Sequence, residues 1–368
     1  MMFIDRIDDL LAFDVDGYLE RVTENQVQAS LNKVRLNRMD FLNLISPAAE
    51  PFIEAMAVRS RNETVRNFGR TVGLYAPIYI SDYCANGCIY CGFNAANPFE
   101  RTRLSLEEIE EECRILADTG IRHTMLLTGE DHLKTPLSYL EAAVQVMKRY
   151  FASISLEIFP MDREEYQVLN RAGADALTVY QEVYDRTIYR EVHPWGKKAD
   201  FVYRLGTPER AAQAGFRSVN IGTLFGLGDL CREVFVMACH ARFLEKKYPH
   251  VEIGLSMPRM QKADNAISPR NLLSDFQFVQ FMTALRIYLP SMGMSISTRE
   301  SAPFRDRLLH LGVTRLSAGS KTDVGGYARG DGKDVAQFDI ADDRSVDEVV
   351  TMIANSGYQP VFKDWESI

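Results

Sequence analysis

The sequence predicts an α/β protein built on a closed (β/α)8 barrel of the TIM type, with a helical extension before it and a shorter extension after it. Two observations carry this. From residue 72 onward, eight short β-rich runs alternate with amphipathic stretches, the pattern of strand and helix units around a parallel sheet. Glycine recurs just before the next strand at Gly120, Gly173, Gly215, Gly293 and Gly312, as one helix-to-strand turn repeated along the chain. Eight such units suit a closed barrel better than an open doubly wound sheet.

Residues 5 to 70 are polar and helical in character, with Val15, Leu19 and Val22, then Val27 and Leu31, at three- and four-residue spacings. The eight expected strands are "VGLYAPIYIS", "HTMLLTGE", "ISLEIFP", "ALTVYQE", "SVNIGTLFG", "EIGLSMPRM", "MSISTRES" and "VTRLSAGS". Among the intervening helices, "LSLEEIEEECRILADTG" opens with Ser105 and Glu108 at capping-box spacing and closes on Gly120. A Gly-rich stretch, "DVGGYARGDGKD", and a last helix, "SVDEVVTMIANSG", follow. The expected division is an N-terminal helical extension over 1–71, the barrel over 72–320 and a C-terminal loop and helix packing on it over 321–368.

With 368 residues, 46% hydrophobic, 25% charged and a formal charge of −8, the chain reads as a globular protein whose acidity disfavours nucleic acid. No apolar run of about 20 residues suggests a membrane span, and the acidic start, "MMFIDRIDDLLAFD", does not resemble a secretory signal. A cytoplasmic protein is expected. In that reducing setting six cysteines read as metal ligands or small core residues rather than disulfides.

Three of the six, Cys84, Cys88 and Cys91, fall in one loop as CxxxCxxC after the first strand. A closed zinc site asks for four protein ligands, and no second cysteine pair accompanies this loop. Three thiolates on an iron–sulfur cubane would leave one iron open to a small molecule. The face at the C-terminal ends of barrel strands is where such folds place chemistry. Cys113, Cys231 and Cys239 lie in expected helices and read as core or surface thiols.

"CANGCIYC", with an aromatic before its third cysteine, resembles the radical S-adenosylmethionine (SAM) superfamily. Together with "TGE", "VYQEVY", "STRESAPFRDR", "SAGSKTDVGGY" and "QPVFKDW", it resembles the aromatic amino-acid lyase branch, most closely the tyrosine lyases of thiamine biosynthesis. The resemblance implies a [4Fe–4S] cluster on Cys84, Cys88 and Cys91, with SAM chelating the fourth iron. It assigns to SAM the residues Tyr90, Glu130, Glu182, Arg204 and Gly222, with Glu130 toward the amino group and Arg204 toward the carboxylate. Glu157, a carboxylate inside an apolar strand, needs a partner or a cavity and is placed with them.

On the substrate side, Arg299 offers the planar fork that a free amino acid's carboxylate requires. Ser317 and Ser320 can supply hydroxyls, and Tyr79 matches a tyrosine near the substrate amine in related lyases. His193 and Arg259 are further candidates for the phenol end or SAM.

The implied reaction is reductive cleavage of SAM to a 5′-deoxyadenosyl radical. This radical takes hydrogen from the amino group of L-tyrosine, whose Cα–Cβ bond then breaks to give 2-iminoacetate (dehydroglycine) and 4-cresol. The expected partners are a thiazole synthase and a flavodoxin or ferredoxin as electron donor. Hydrogenase-maturation and tryptophan lyases are the alternatives within the family. The former carries a second cluster, for which the segment 321–368 offers no cysteine or histidine. A non-catalytic zinc-binding barrel is the alternative of another class.

Overall fold

The computed structural model describes residues 2–263, 265–329 and 335–365. Eight strands form the expected barrel: β1 (Thr71–Ser81), β2 (His123–Thr128), β3 (Ser153–Glu157), β4 (Ala176–Glu182), β5 (Ser218–Thr223), β6 (Glu252–Ser256), β7 (Gly293–Ile296) and β8 (Arg315–Ser317). Each pairs in parallel with the next. The ring closes through β1, whose residues Gly73–Tyr75 pair with β8 while Ala76–Ser81 pair with β2. Near-continuous apolar runs suit such strands, because a parallel sheet wrapped in helices is buried on both faces.

The helices follow their local signals. Ser105 and Glu108 form the expected capping box on the helix Leu106–Asp118, and Gly120, Gly173, Gly215 and Gly312 adopt positive φ. Gly293 departs from the expected turn: it is the first residue of β7 and is not left-handed. The helix before it, Asp275–Tyr288, is followed by Leu289 and Pro290, and proline stops a helix without a glycine cap.

Five short helices precede β1 and pack on the outside of the barrel. Phe3 stacks on His240 at 4.0 Å, Gln280 donates to the carbonyls of Leu44 and Ser46 at 3.1 and 2.9 Å, and Ser60 bonds the Leu311 carbonyl. After β8 the chain is tied back by polar anchors. Arg305, 1% exposed, pairs with Asp342, 0% exposed, and also donates to the Ser317 carbonyl. Glu112 accepts from the amides of Tyr327 and Ala328 at 3.2 and 2.6 Å. A ninth strand, β9 (Gln359–Val361), pairs with Thr71–Gly73 of β1. It lies where the sequence reading places only a loop and a helix, since three residues containing Pro360 give no periodic signal.

Asp342→Ala should destabilise the fold by about 3–5 kcal/mol, because it leaves the buried Arg305 uncompensated. The urea-unfolding midpoint checks this. Joint replacement by Arg305→Met and Asp342→Leu should recover most of the loss, and a double variant as unstable as Asp342→Ala would argue against the ion pair as the cause.

Candidate active site

All eight barrel strands run in one direction, so their C-terminal ends share one face, and residues 82–104 leave that face from β1 without regular structure. The cysteine loop bonds within itself, as from the Ala95 amide to the Asn86 carbonyl at 2.9 Å, and is tied to other segments as well. The amides of Ala85, Gly87, Ile89 and Gly92 donate to the carbonyls of Glu130, Trp195, Val192 and Gln337, at 2.8, 3.2, 3.2 and 3.3 Å. Asn86 donates to the Glu130 carboxylate at 2.6 Å and accepts from the Lys198 amide at 2.9 Å. Glycine is required where these loops touch. A Cβ on Gly87 would lie 2.0 Å from the Trp195 ring, and one on Gly129 would lie 2.5 Å from the Tyr83 carbonyl.

Cys84, Cys88 and Cys91 open on one cavity of about 640 Å³, counted to its mouth, with Glu130, Glu182, Lys198 and Arg204 on its other walls. Burial, together with the neighbouring cysteines, pushes the Cys88 thiol up to about 12 and Cys91 to about 11. A metal is therefore what would make them thiolates. Among the described residues no three Cys, His, Asp or Glu side chains converge on a single ion. A closed zinc site is not formed. In a cubane each thiolate binds its own iron, so its ligands share a cavity without meeting at one point, and these three cysteines fit that demand.

Opposite the cysteines stands a compact charge cluster. Glu182 is a non-glycine residue at φ 70°, placed where the register between β4 and β5 shifts between Tyr180 and Glu182. Such irregularities re-aim side chains at barrel rims. Its carboxylate pairs with Lys198 at 2.8 Å and Arg204 at 3.3 Å, and Arg204 also donates to the Tyr180 carbonyl at 2.7 Å. Burial works to raise the Glu182 pKa, but the two cations outweigh it and hold the group below the usual carboxylate range. Lys198 escapes the sequence reading, because "GKKAD" looks like any solvated charged turn.

Tyr90 and His193 are bonded at 2.7 Å, and the other His193 nitrogen meets the Tyr189 carbonyl at 2.9 Å. Burial, helped by Lys198 and Arg204, pushes His193 down to about 2, so it is a neutral ring with both nitrogens engaged. Arg259 is likewise committed, to Glu300 and to Asp275 at 2.7 Å. Neither residue reaches for a ligand as expected.

A second cavity, of about 670 Å³ to its mouth, runs into the barrel between Tyr79, Glu157, Arg299, Ser317, Ser320 and Gln337. The Arg299 guanidinium lies 3.3 Å over the Phe338 ring and has no carboxylate partner within bonding distance among the described residues. The Ser320 hydroxyl is buried without any partner. Ser317 is occupied, accepting from the Thr298 amide at 3.0 Å. Tyr79 donates to Gln337 at 2.7 Å, a residue that the sequence reading passes over although it lines both cavities.

Glu157 also lines both, and burial, outweighing the opposing Arg299, raises its carboxyl to about 7. Gly222 has a reason of its own to be glycine: a Cβ there would lie 2.6 Å from the Ser256 carbonyl and 2.7 Å from the Tyr180 ring. Of the Gly-rich stretch "DVGGYARGDGKD", residues 330–334 lie outside the described residues.

Three thiols at a barrel mouth, facing a charged wall and a second cavity, define the class. Residues 78–236 match the family profile of the Radical SAM superfamily and residues 256–359 that of the Biotin and Thiamin Synthesis associated domain. The chain is 37% identical to the 2-iminoacetate synthase of Salmonella typhimurium strain LT2, over 99% of this chain and 97% of that one. It is 36% identical to that of Escherichia coli K12 over the same shares. Among solved structures, the FeFe-hydrogenase maturase HydG from Carboxydothermus hydrogenoformans matches with a TM-score of 0.90 at 31% identity, covering 98% of this chain and 85% of that one. The chain is a member of the radical SAM superfamily. Within it, the chain belongs to the family of the 2-iminoacetate synthases.

Ser320→Ala should leave the unfolding midpoint unchanged or raise stability by up to about 1 kcal/mol, because it deletes an unpaired buried hydroxyl. A clear loss of stability in thermal unfolding would show instead that the hydroxyl holds the fold.

Proposed function

We infer that this chain is a radical SAM lyase that cleaves the Cα–Cβ bond of L-tyrosine to 2-iminoacetate and 4-cresol, supplying thiazole formation in thiamine biosynthesis. Its near full-length relation to two 2-iminoacetate synthases carries this reading. The match spans 97% of the Salmonella typhimurium synthase but 85% of the hydrogenase maturase, which favours the former reaction over the latter. The cofactors are a [4Fe–4S] cluster and SAM, which when bound supply the hydrogen-abstracting radical.

The protein's own task is to bind, orient and exclude. Cys84, Cys88 and Cys91 hold the cluster in this reading. Glu130, Glu182 and Arg204 face SAM, joined by Lys198, whose charge with that of Arg204 suits a carboxylate. Arg299, stacked on Phe338 and without an acidic partner among the described residues, receives the tyrosine carboxylate, and Ser320 offers the same ligand a free hydroxyl.

Tyr79 stands with Gln337 where the two cavities meet, a position that suits the amine. Glu157 lines both cavities at their junction, protonated below pH about 7 and ionised above it. The apolar walls keep competing hydrogen donors away from the reacting atoms.

2-Iminoacetate hydrolyses readily, so a thiazole synthase that consumes it is the partner we propose. No helix of the described chain is long and apolar enough to cross a membrane. A reducing cytoplasm suits an open, oxygen-labile cluster.

Replacing Cys84, Cys88 or Cys91 by Ala should abolish iron, sulfide and activity together, and full cluster content in any of the three would sink the ligand assignment. Arg299→Lys should keep the cluster and uncoupled SAM cleavage but weaken tyrosine binding by roughly 1.5–3 kcal/mol, since a point charge replaces a bidentate fork. Unaltered tyrosine affinity in a binding titration would move the clamp elsewhere. Purified enzyme with SAM, reductant and tyrosine should yield 5′-deoxyadenosine, 4-cresol and glyoxylate from hydrolysed 2-iminoacetate. Stoichiometric carbon monoxide or cyanide would reassign the reaction, and cleavage of tryptophan alone would reassign the substrate.

A further inference from the structure

Resting on the radical SAM reading, the next question is where the reducing electron enters. The outer surface of the cysteine loop answers it. Ala85 is exposed and Cys84 partly so, and the loop is flanked by two large apolar side chains that reach solvent. Leu133 is 91% exposed and Trp195 is 38% exposed. Trp195 lies against the backbone of Gly87, between two of the three cysteines, and its carbonyl receives the Gly87 amide. On the other flank the Ala85 amide is bonded to Glu130, three residues before Leu133, and Lys134 reaches over the Tyr83 ring at 4.9 Å. The patch is therefore one continuous surface over the loop.

Its charge opposes that of the chain. The whole protein carries −8, yet Lys134 and Lys197 stand exposed on either side of this loop, with Arg103 bonded to the Lys134 carbonyl at 2.7 Å. Of the nearby acids, Glu191 pairs with Arg270 at 2.8 Å and Glu130 accepts from Asn86, while two others turn to their own backbones. Asp131 accepts from the amides of Leu133 and Lys134 at 3.0 and 3.1 Å, and Asp200 from that of Tyr203 at 2.9 Å. An acidic partner is repelled by the molecule at large and admitted here, and apolar side chains ringed by lysines are what a transient, electrostatically steered interface uses.

We propose that the surface formed by Ala85, Leu133, Lys134, Trp195 and Lys197 is the docking site for an acidic one-electron carrier protein. The carrier is oxidised by one electron there and the cluster behind the loop is reduced by the same electron. Trp195 and the Gly87 backbone are the matter between the two.

Calorimetric titration of the anaerobic holoenzyme with oxidised flavodoxin tests the surface without reference to turnover. The Lys134→Glu, Lys197→Glu double variant should bind flavodoxin roughly tenfold or more weakly at low salt, the wild-type advantage shrinking as salt is added. Formation of 5′-deoxyadenosine driven by reduced flavodoxin should fall in proportion, while that driven by dithionite stays at the wild-type level. Unchanged flavodoxin affinity in the double variant overturns the docking site. Leu133→Asp provides the same two outcomes through the apolar part of the patch should the double variant fold poorly. A wild-type enzyme that makes no 5′-deoxyadenosine even with dithionite would count against the functional reading instead, and the titration would still decide the surface.

Discussion

Closure of the barrel through β1 is the constraint on which the rest depends. One strand pairs with β8 and β9 over its first half and with β2 over its second, and its end releases the cysteine loop. The register between β1 and β2 shifts between Tyr79 and Ser81, just before that loop leaves the sheet. The same strand therefore fixes Tyr79 in the inner cavity and aims three thiols at the outer one. Closure has a second consequence. With every strand end on one rim, loops after β2, β4 and β8 can supply the hydrogen bonds that an irregular cysteine loop cannot make for itself.

Charge is arranged on that rim by the balance between burial and pairing. Glu182 is buried, yet it stays ionised because Lys198 and Arg204 sit against it, while Glu157 has no bonded partner among the described residues and is raised to about 7. Two carboxylates in neighbouring strands thus differ in proton affinity for a reason visible in their contacts. His193 follows the same logic in the opposite direction, since burial and two nearby cations keep it neutral and leave it a structural prop for Tyr90.

Much of the fold was legible because its signals are local and repeated. Eight apolar runs, serine caps and left-handed glycines each report on a few residues, and they agree with one another. The cysteine cluster was legible for the same reason, being three residues of one loop. What escaped lies between segments. Lys198 acquires meaning only when the β4 loop folds back on Glu182, and Gln337 only when a distant segment meets Tyr79. β9 is too short to carry a period, and Gly293 sits at the same spacing as the turn glycines although Pro290 already ends the helix before it. His193 and Arg259, candidates by chemical type alone, have protein partners that no local pattern reveals.

The arginines make the last step possible. Arg305 is buried against Asp342, Arg259 is held by Glu300 and Asp275, and Arg204 is shared between Glu182 and a backbone carbonyl. Each has a carboxylate partner. Arg299 differs, with an aromatic face beneath its guanidinium and no carboxylate bonded to it among the described residues. A cation stacked on a ring keeps its in-plane donors free while its orientation is fixed. A neighbouring unpaired hydroxyl, that of Ser320, lines the same cavity. Other buried polar atoms also lack partners among the described residues, such as Gln181 Nε2 and Asn220 Oδ1, but Ser320 and Arg299 stand together in a cavity with room for a ligand. In the reading proposed above, a carboxylate is the group that Arg299 and Ser320 would take there.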